Sequence, residues 1–173
     1  MRLLTRDNNG KLTLREFDNH NLPAYAILSR TWNTDNSQEV TFDDLEGGTG
    51  TDKAGYRKII FCEEKATATV LQYFWIDACC INKRSEPELL EAINSIFRWY
   101  RKAARCYVYL SDVSARDNKE NGQFLQGWEP ASRRSRWFTR GWTLQELIAP
   151  EVVEFFTFDG ERLGDKLSLK TII

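Results

Sequence analysis

The sequence predicts an α/β domain with a mainly parallel sheet and helices on both faces, opened by an N-terminal β-hairpin and interrupted by an insertion loop. Two observations predict it. Short apolar runs at residues 24–28, 73–76, 106–110 and 152–156 alternate with segments of helical period. Those runs are close to continuously apolar, as strands buried on both faces are. The chain has 173 residues, 42% of them hydrophobic with six Trp, which is enough apolar mass for the core of one domain. Its aromatic content argues against disorder, and ten Gly with four Cys argue against collagen-like or disulfide-stapled architectures.

Each element has its own signal. Leu3, Leu4, Leu12, Leu14 and Phe17 flank Asp7-Asn8-Asn9-Gly10, and Asn-Gly supplies the positive φ angles of a hairpin turn. Ala24–Leu28 is the first core strand, ending at the polar Ser29, Arg30 and Thr31. Residues 33–52 are turn-rich, with one short helix or strand expected around Val40, Phe42 and Leu45. From Lys53 the period becomes helical through Val70. Tyr73–Ile76 is a strand that ends at Asp77. Ser85 and Glu88 have the spacing of a capping box opening the next helix, whose Leu89, Ile93, Ile96, Phe97 and Tyr100 form an apolar stripe. Cys106–Leu110 is a strand ending at Ser111 and Asp112. Residues 114–135 are an insertion loop, long enough to be functional. A helix from about Thr139 to Ile148 stops before Pro150, and Val152–Phe156 is the last strand. A further apolar pattern begins near Leu167, so the chain is expected to be the front part of a longer protein, with residues 1–173 as one domain.

Composition narrows the function. A net charge of −1 gives no reason to expect a nucleic-acid partner. No apolar run nears the roughly 20 residues that span a bilayer, so no membrane association and a cytoplasmic location are expected. Cys62, Cys79, Cys80 and Cys106 show no C-x-x-C spacing and His20 lies apart from them, so no metal is expected and the thiols read as small buried side chains. Cys79 and Cys80, taken as an extended pair, point to opposite faces, which strains any bridge between them. Gly47-Gly48-Thr49-Gly50 precedes a helix but follows no clear strand, and no nucleotide fingerprint is present.

In doubly wound sheets ligands sit outside the carboxyl ends of the strands, which singles out Ser29, Arg30, Asp77, Ser111 and Asp112. Polar residues also end strands for purely structural reasons. The most informative segment is Ser135–Pro150. Trp142 and Glu146 are four apart on a helix and share a face, and a carboxyl against an indole is desolvated toward a raised pKa. Arg133, Arg134, Arg136 and Arg140 stand nearby with no acid between Glu129 and Glu146, a pattern suited to an anion such as a pyrophosphate. The same spacing also fits a buried Trp anchoring the helix while Glu146 pairs with Arg140 or with solvent.

Several blocks, among them Ala24–Trp32, Lys53–Ile59, Phe74–Lys83, Tyr107–Asp112 and Arg140–Pro150, resemble the successive blocks of the fungal heterokaryon incompatibility (HET) domain across essentially the whole chain. One position departs: the family usually has His, or sometimes Tyr, where this sequence has Arg30. The resemblance implies a cell-death module. The family is in turn similar to Toll/interleukin-1 receptor (TIR) domains, which implies a TIR-like, flavodoxin-like sheet. Trp142-x-x-x-Glu146 matches the W-x-x-x-E pattern with which many TIR domains cleave NAD. On that footing Glu146 and Trp142 are the expected catalytic residues. Ser29, Arg30, Trp32, Asp77, Ser111 and Arg140 are the expected substrate-binding residues, with NAD as a substrate rather than a cofactor. The expected partners are a nucleotide, further copies of the domain and other death-pathway proteins. The competing expectation is a non-enzymatic assembly module using Trp128, Trp137 and the insertion loop as an interface.

Overall fold

The computed structural model describes residues 1–114 and 128–170, with only the backbone of 128–130. The strands are β1 (Arg2–Arg6), β2 (Leu12–Glu16), β3 (Tyr25–Arg30), β4 (Tyr73–Trp75), β5 (Arg105–Leu110), β6 (Val153–Thr157) and β7 (Arg162–Asp165). They form one sheet in the order β2-β1-β4-β3-β5-β6-β7. The inner four, β4-β3-β5-β6, are parallel, while the hairpin β1–β2 joins β4 antiparallel and β7 closes the other edge antiparallel on β6. The expected α/β architecture with a mainly parallel sheet and an opening hairpin is therefore observed.

The helices are α1 (Phe42–Gly47), α2 (Tyr56–Ala68), α3 (Asp77–Cys80), α4 (Glu86–Lys102), α5 (Trp128–Arg133) and α6 (Thr143–Ile148), with short 3-10 turns at Asn36–Gln38 and Arg136–Thr139. From β3 the chain moves through α2 to one neighbour, then back through α4 across β3 to β5. Right-handed crossovers therefore put α2 and α4 on opposite faces. Helix α6, between β5 and β6, falls on the α4 face and packs against α4. The core is continuous through the sheet, with Trp75, Tyr25, Tyr107 and Phe155 among its largest fully buried side chains.

Several elements depart from expectation. Strand β3 runs two residues beyond Leu28, so Ser29 and Arg30 lie inside it, and both are buried. The expected capping box at Ser85 is not made: Ser85 caps α4 without a side-chain bond. Glu88 is drawn away by Arg2 and by the backbone N–H of Asn82 (2.8 Å). A capping box does form at α1, where Thr41 and Asp44 exchange side-chain-to-backbone bonds. Cys79 and Cys80 sit in a helical turn rather than an extended segment, and all four thiols are free and buried. The expected helix at 139–148 divides into the 3-10 turn and α6, with Trp142 at the α6 N-cap. The apolar stripe of α4 also divides. Tyr100 enters the core while Ile93 and Phe97 stay largely exposed, and Ala92, Ser95 and Trp99 complete the buried face. Of the insertion loop, residues 115–127 lie outside the described residues; α5 occupies part of the remainder. Gly48 is the left-handed C-cap of α1, so the glycine-rich stretch ends a helix instead of opening one.

One backbone feature makes a stability prediction. Val70 follows the α2 C-cap with φ 60°, and the turn lets the Leu71 N–H reach the Ala66 carbonyl (2.9 Å). The left-handed region disfavours a β-branched residue, and at 93% exposure the valine side chain gains little from burial. Val70→Gly is expected to raise unfolding free energy by about 1 kcal/mol in denaturant titration. A decrease would show that the valine conformation is unstrained.

Candidate functional site

At the carboxyl ends of β3 and β4, on the α4 and α6 side of the sheet, lies a cleft of about 260 Å³. Trp32, Asp77, Lys83, Arg140, Trp142 and Glu146 line its polar part, and Leu89, Ile93 and Ile96 of α4 form the apolar wall. Five of the eight expected site residues, from three separate chain segments, are thereby brought together. Ser29 and Arg30 stand directly behind the cleft. Ser111 does not line it: its hydroxyl meets that of Thr31 at 2.8 Å.

Glu146 is the centre. It is 8% exposed, and its Oε2 accepts a hydrogen bond from the Ser29 hydroxyl. That hydroxyl in turn accepts the indole N–H of Trp137 (2.7 Å), so its own proton is directed at the carboxylate. Burial pushes the Glu146 carboxyl up to about 7. The nearby Asp77 charge adds to the rise, and the Ser29 bond, Arg140 and Tyr100 oppose it. The expected raised pKa is thus present. Its surroundings differ from the reading of a buried Trp anchor, because Trp142 is 48% exposed and lines the cleft beside Glu146. Arg140 donates instead to the Arg30 carbonyl.

Trp137, expected at an interface, is 1% exposed and packs edge-on against Phe138 and Phe155. Asp112 fixes its segment by accepting from the Ser135 hydroxyl (2.7 Å) and the Arg136 N–H (2.8 Å). Arg136 also pairs with Asp112 and is held outside the cleft, and Arg133 and Arg134 are exposed away from its lining. Trp128's side chain lies outside the described residues.

Beneath the cleft is a buried charge network that the sequence does not announce. Arg30 pairs with Glu39 (2.9 Å) and Asp77 (3.0 Å), and Lys58 pairs with the same Glu39 (2.7 Å). Asp77's second oxygen accepts the Trp32 indole N–H (3.1 Å). Burial raises the Asp77 carboxyl, but the Arg30 and Lys83 charges and the Trp32 bond outweigh it, and its pKa is lowered. In Lys58, burial first and the Arg30 charge second lower the pKa, against the Glu39 bond. Arg30 is therefore a structural cation that holds Asp77 in place, at the cost of a buried Nε with no acceptor. Trp137, Glu39, Lys58 and Lys83 are the site residues that the sequence reading missed. Lys58 and Lys83 carried a signal as members of the Lys53–Ile59 and Phe74–Lys83 blocks, Trp137 only as an aromatic of the Ser135–Pro150 segment, and Glu39 none.

The Glu146 shift links to stability. A carboxyl whose folded pKa lies above its unfolded value binds more protons in the folded state, so stability falls as pH rises between the two. With Glu146 at about 7, the wild type is expected to lose on the order of 3 kcal/mol between about pH 4.5 and 7 relative to Glu146→Gln. Paired urea titrations across that range check it; parallel pH profiles would contradict it.

Fold and cleft together define a doubly wound α/β domain with a protonatable carboxyl group in a small cleft at its strand ends. Among the described residues no helix is long and apolar enough to cross a membrane, and no group of three or more His, Cys, Asp or Glu is placed to hold a metal ion. The family model for the heterokaryon incompatibility protein (HET) matches residues 25–134, and the chain belongs to that family. Vegetative incompatibility protein HET-E-1 of Podospora anserina is 49% identical over 174 residues, covering 100% of this chain and 13% of that protein. The chain thus spans about an eighth of that relative's length. No solved structure matches.

Proposed function

We propose that this domain is a cell-death effector of fungal incompatibility that, on self-assembly, cleaves the glycosidic bond of NAD or a related nucleotide in the manner of TIR enzymes. The observation carrying this reading is Glu146: a buried carboxyl with its pKa near neutrality, oriented by Ser29 and open to a cleft framed by Trp32 and Trp142. Cleavage breaks the C1′–N bond, and its electron pair neutralises the departing pyridinium nitrogen. The ribose develops oxocarbenium character, which ionised Glu146 stabilises. Water then forms the new C1′–O bond and its proton leaves to solvent. At about 260 Å³ the cleft lies just below the ~300–1,000 Å³ usual for ligand sites, room for the nucleoside half of a dinucleotide. NAD consumption by the assembled wild type beside Glu146→Gln tests the reading.

A specific observation also favours a second reading, a non-enzymatic assembly module. Leu90, Ile93 and Phe97 of α4 and Trp142, Leu144 and Ile148 at α6 are exposed apolar side chains on two helices that pack together. The same pair of proteins, assayed for NAD consumption and for cell killing, separates the two, because this reading has Glu146→Gln retain killing with no turnover in either protein.

A further inference from the structure

Lys83 has an unusual position. Its ammonium lies 3.7 Å from the centroid of the Trp32 ring and lines the cleft. Among the described residues it has no hydrogen-bond acceptor and no carboxylate in ion-pair range. The nearest candidate, Asp77, is already engaged on both oxygens, by Arg30 and by the Trp32 indole N–H. Cation–π contact holds such an ammonium in place without neutralising it. Arg140 is the other cation of the cleft wall and gives one N–H to the Arg30 carbonyl, leaving the rest of its fork available.

The local charge balance points the same way. Arg30, Lys58, Lys83 and Arg140 face Glu39 and Asp77, an excess of two positive charges when Glu146 is protonated and of one when it is ionised. Burial and the Arg30 charge lower the Lys83 pKa, so an added anion relieves the strain of keeping it charged.

We propose that Lys83, held on the Trp32 ring, and Arg140 form an oxyanion subsite that takes a phosphate group of the substrate. This rests on the nucleotide reading only for the identity of the substrate; the subsite itself stands on Lys83, Trp32 and Arg140. It places phosphate at the Trp32 side of the cleft and the ribose at Glu146, which gives a bound nucleotide a direction. Lys83 is a binding residue here and takes no part in bond cleavage.

Calorimetric titration of inorganic pyrophosphate, ADP-ribose and nicotinamide riboside into wild type, Lys83→Met and Lys83→Arg tests this, with thermal melts confirming that each variant is folded. The expected result is that Lys83→Met weakens pyrophosphate and ADP-ribose by about tenfold or more while nicotinamide riboside is unchanged. Lys83→Arg restores most of the loss, and added salt weakens only the phosphate-bearing ligands. Failure of wild type to bind pyrophosphate, or equal affinity in Lys83→Met, overturns the subsite even where NAD is cleaved. Lys83-dependent pyrophosphate binding without nucleotide binding or cleavage upholds the subsite and removes the nucleotide reading instead.

Discussion

Glu146→Gln is expected to lower nucleotide turnover at least about a hundredfold while leaving the domain folded. Glutamine keeps the shape and can still accept the Ser29 hydroxyl, so the Trp137–Ser29 chain survives and only the titratable charge is lost. The wild-type rate should depend on pH in one direction. On the proposed mechanism the ionised carboxylate stabilises the oxocarbenium, so with the carboxyl at about 7 the rate is expected to rise as pH passes through neutrality. The residual rate of Glu146→Gln should be flat over the same range. Equal rates in the two proteins would remove Glu146 from the chemistry.

The largest stability effect is expected at Glu39. Its Oε1 accepts from Arg30, from Lys58 and from the Asn33 backbone N–H (2.6 Å), and all three side chains of the ion-pair set are buried. Removing this carboxylate leaves buried Lys58 without a counter-charge and Arg30 with Asp77 alone, so Glu39→Ala should cost about 3–5 kcal/mol. That is a large share of the roughly 5–15 kcal/mol that holds a typical domain together. Two further variants guard against simple loss of folding. Glu39→Gln, which keeps an acceptor, should lose less. Adding Lys58→Met to Glu39→Ala should recover part of the loss, because one stranded charge is removed with it. Denaturant titrations of the set measure this, and a Glu39→Ala loss under about 1 kcal/mol would contradict it.

What the sequence made legible follows from what periodicity encodes. The apolar runs of β3, β4, β5 and β6 each had to be buried on two faces, and their alternation with helices fixed the doubly wound plan. The rule that ligands gather at strand ends singled out Asp77, which lines the cleft, and four-residue helical spacing put Trp142 and Glu146 on it together. Strand β7 escaped because Arg162-Leu163-Gly164-Asp165 is short, mostly polar and interrupted by glycine. The helical turn at Cys79–Cys80 escaped because a four-residue apolar segment after a strand has no period to read.

The partners of the site were hidden for a different reason. Glu39 stands in a polar loop where an acid is unremarkable, and only folding buries it between Arg30 and Lys58. Trp137 read as an interface aromatic, yet its indole N–H crosses 108 residues of sequence to reach Ser29. Lys83 is a single lysine that meets the Trp32 ring and, among the described residues, no carboxylate in ion-pair range, a placement no local pattern records. These are long-range pairings of polar side chains, and hydrophobic periodicity carries no information about them.

On the proposed function, the Glu146 cleft is where this domain meets the sugar of a nucleotide. The most direct measurement is a crystal structure of the assembled protein, as Glu146→Gln, grown with NAD. The predicted result is nucleotide density in the cleft, with ribose hydroxyls in hydrogen-bond reach of residue 146 and a phosphate against Lys83. Nucleotide bound elsewhere on the domain, with this cleft filled by a neighbouring copy's apolar side chains, would contradict it.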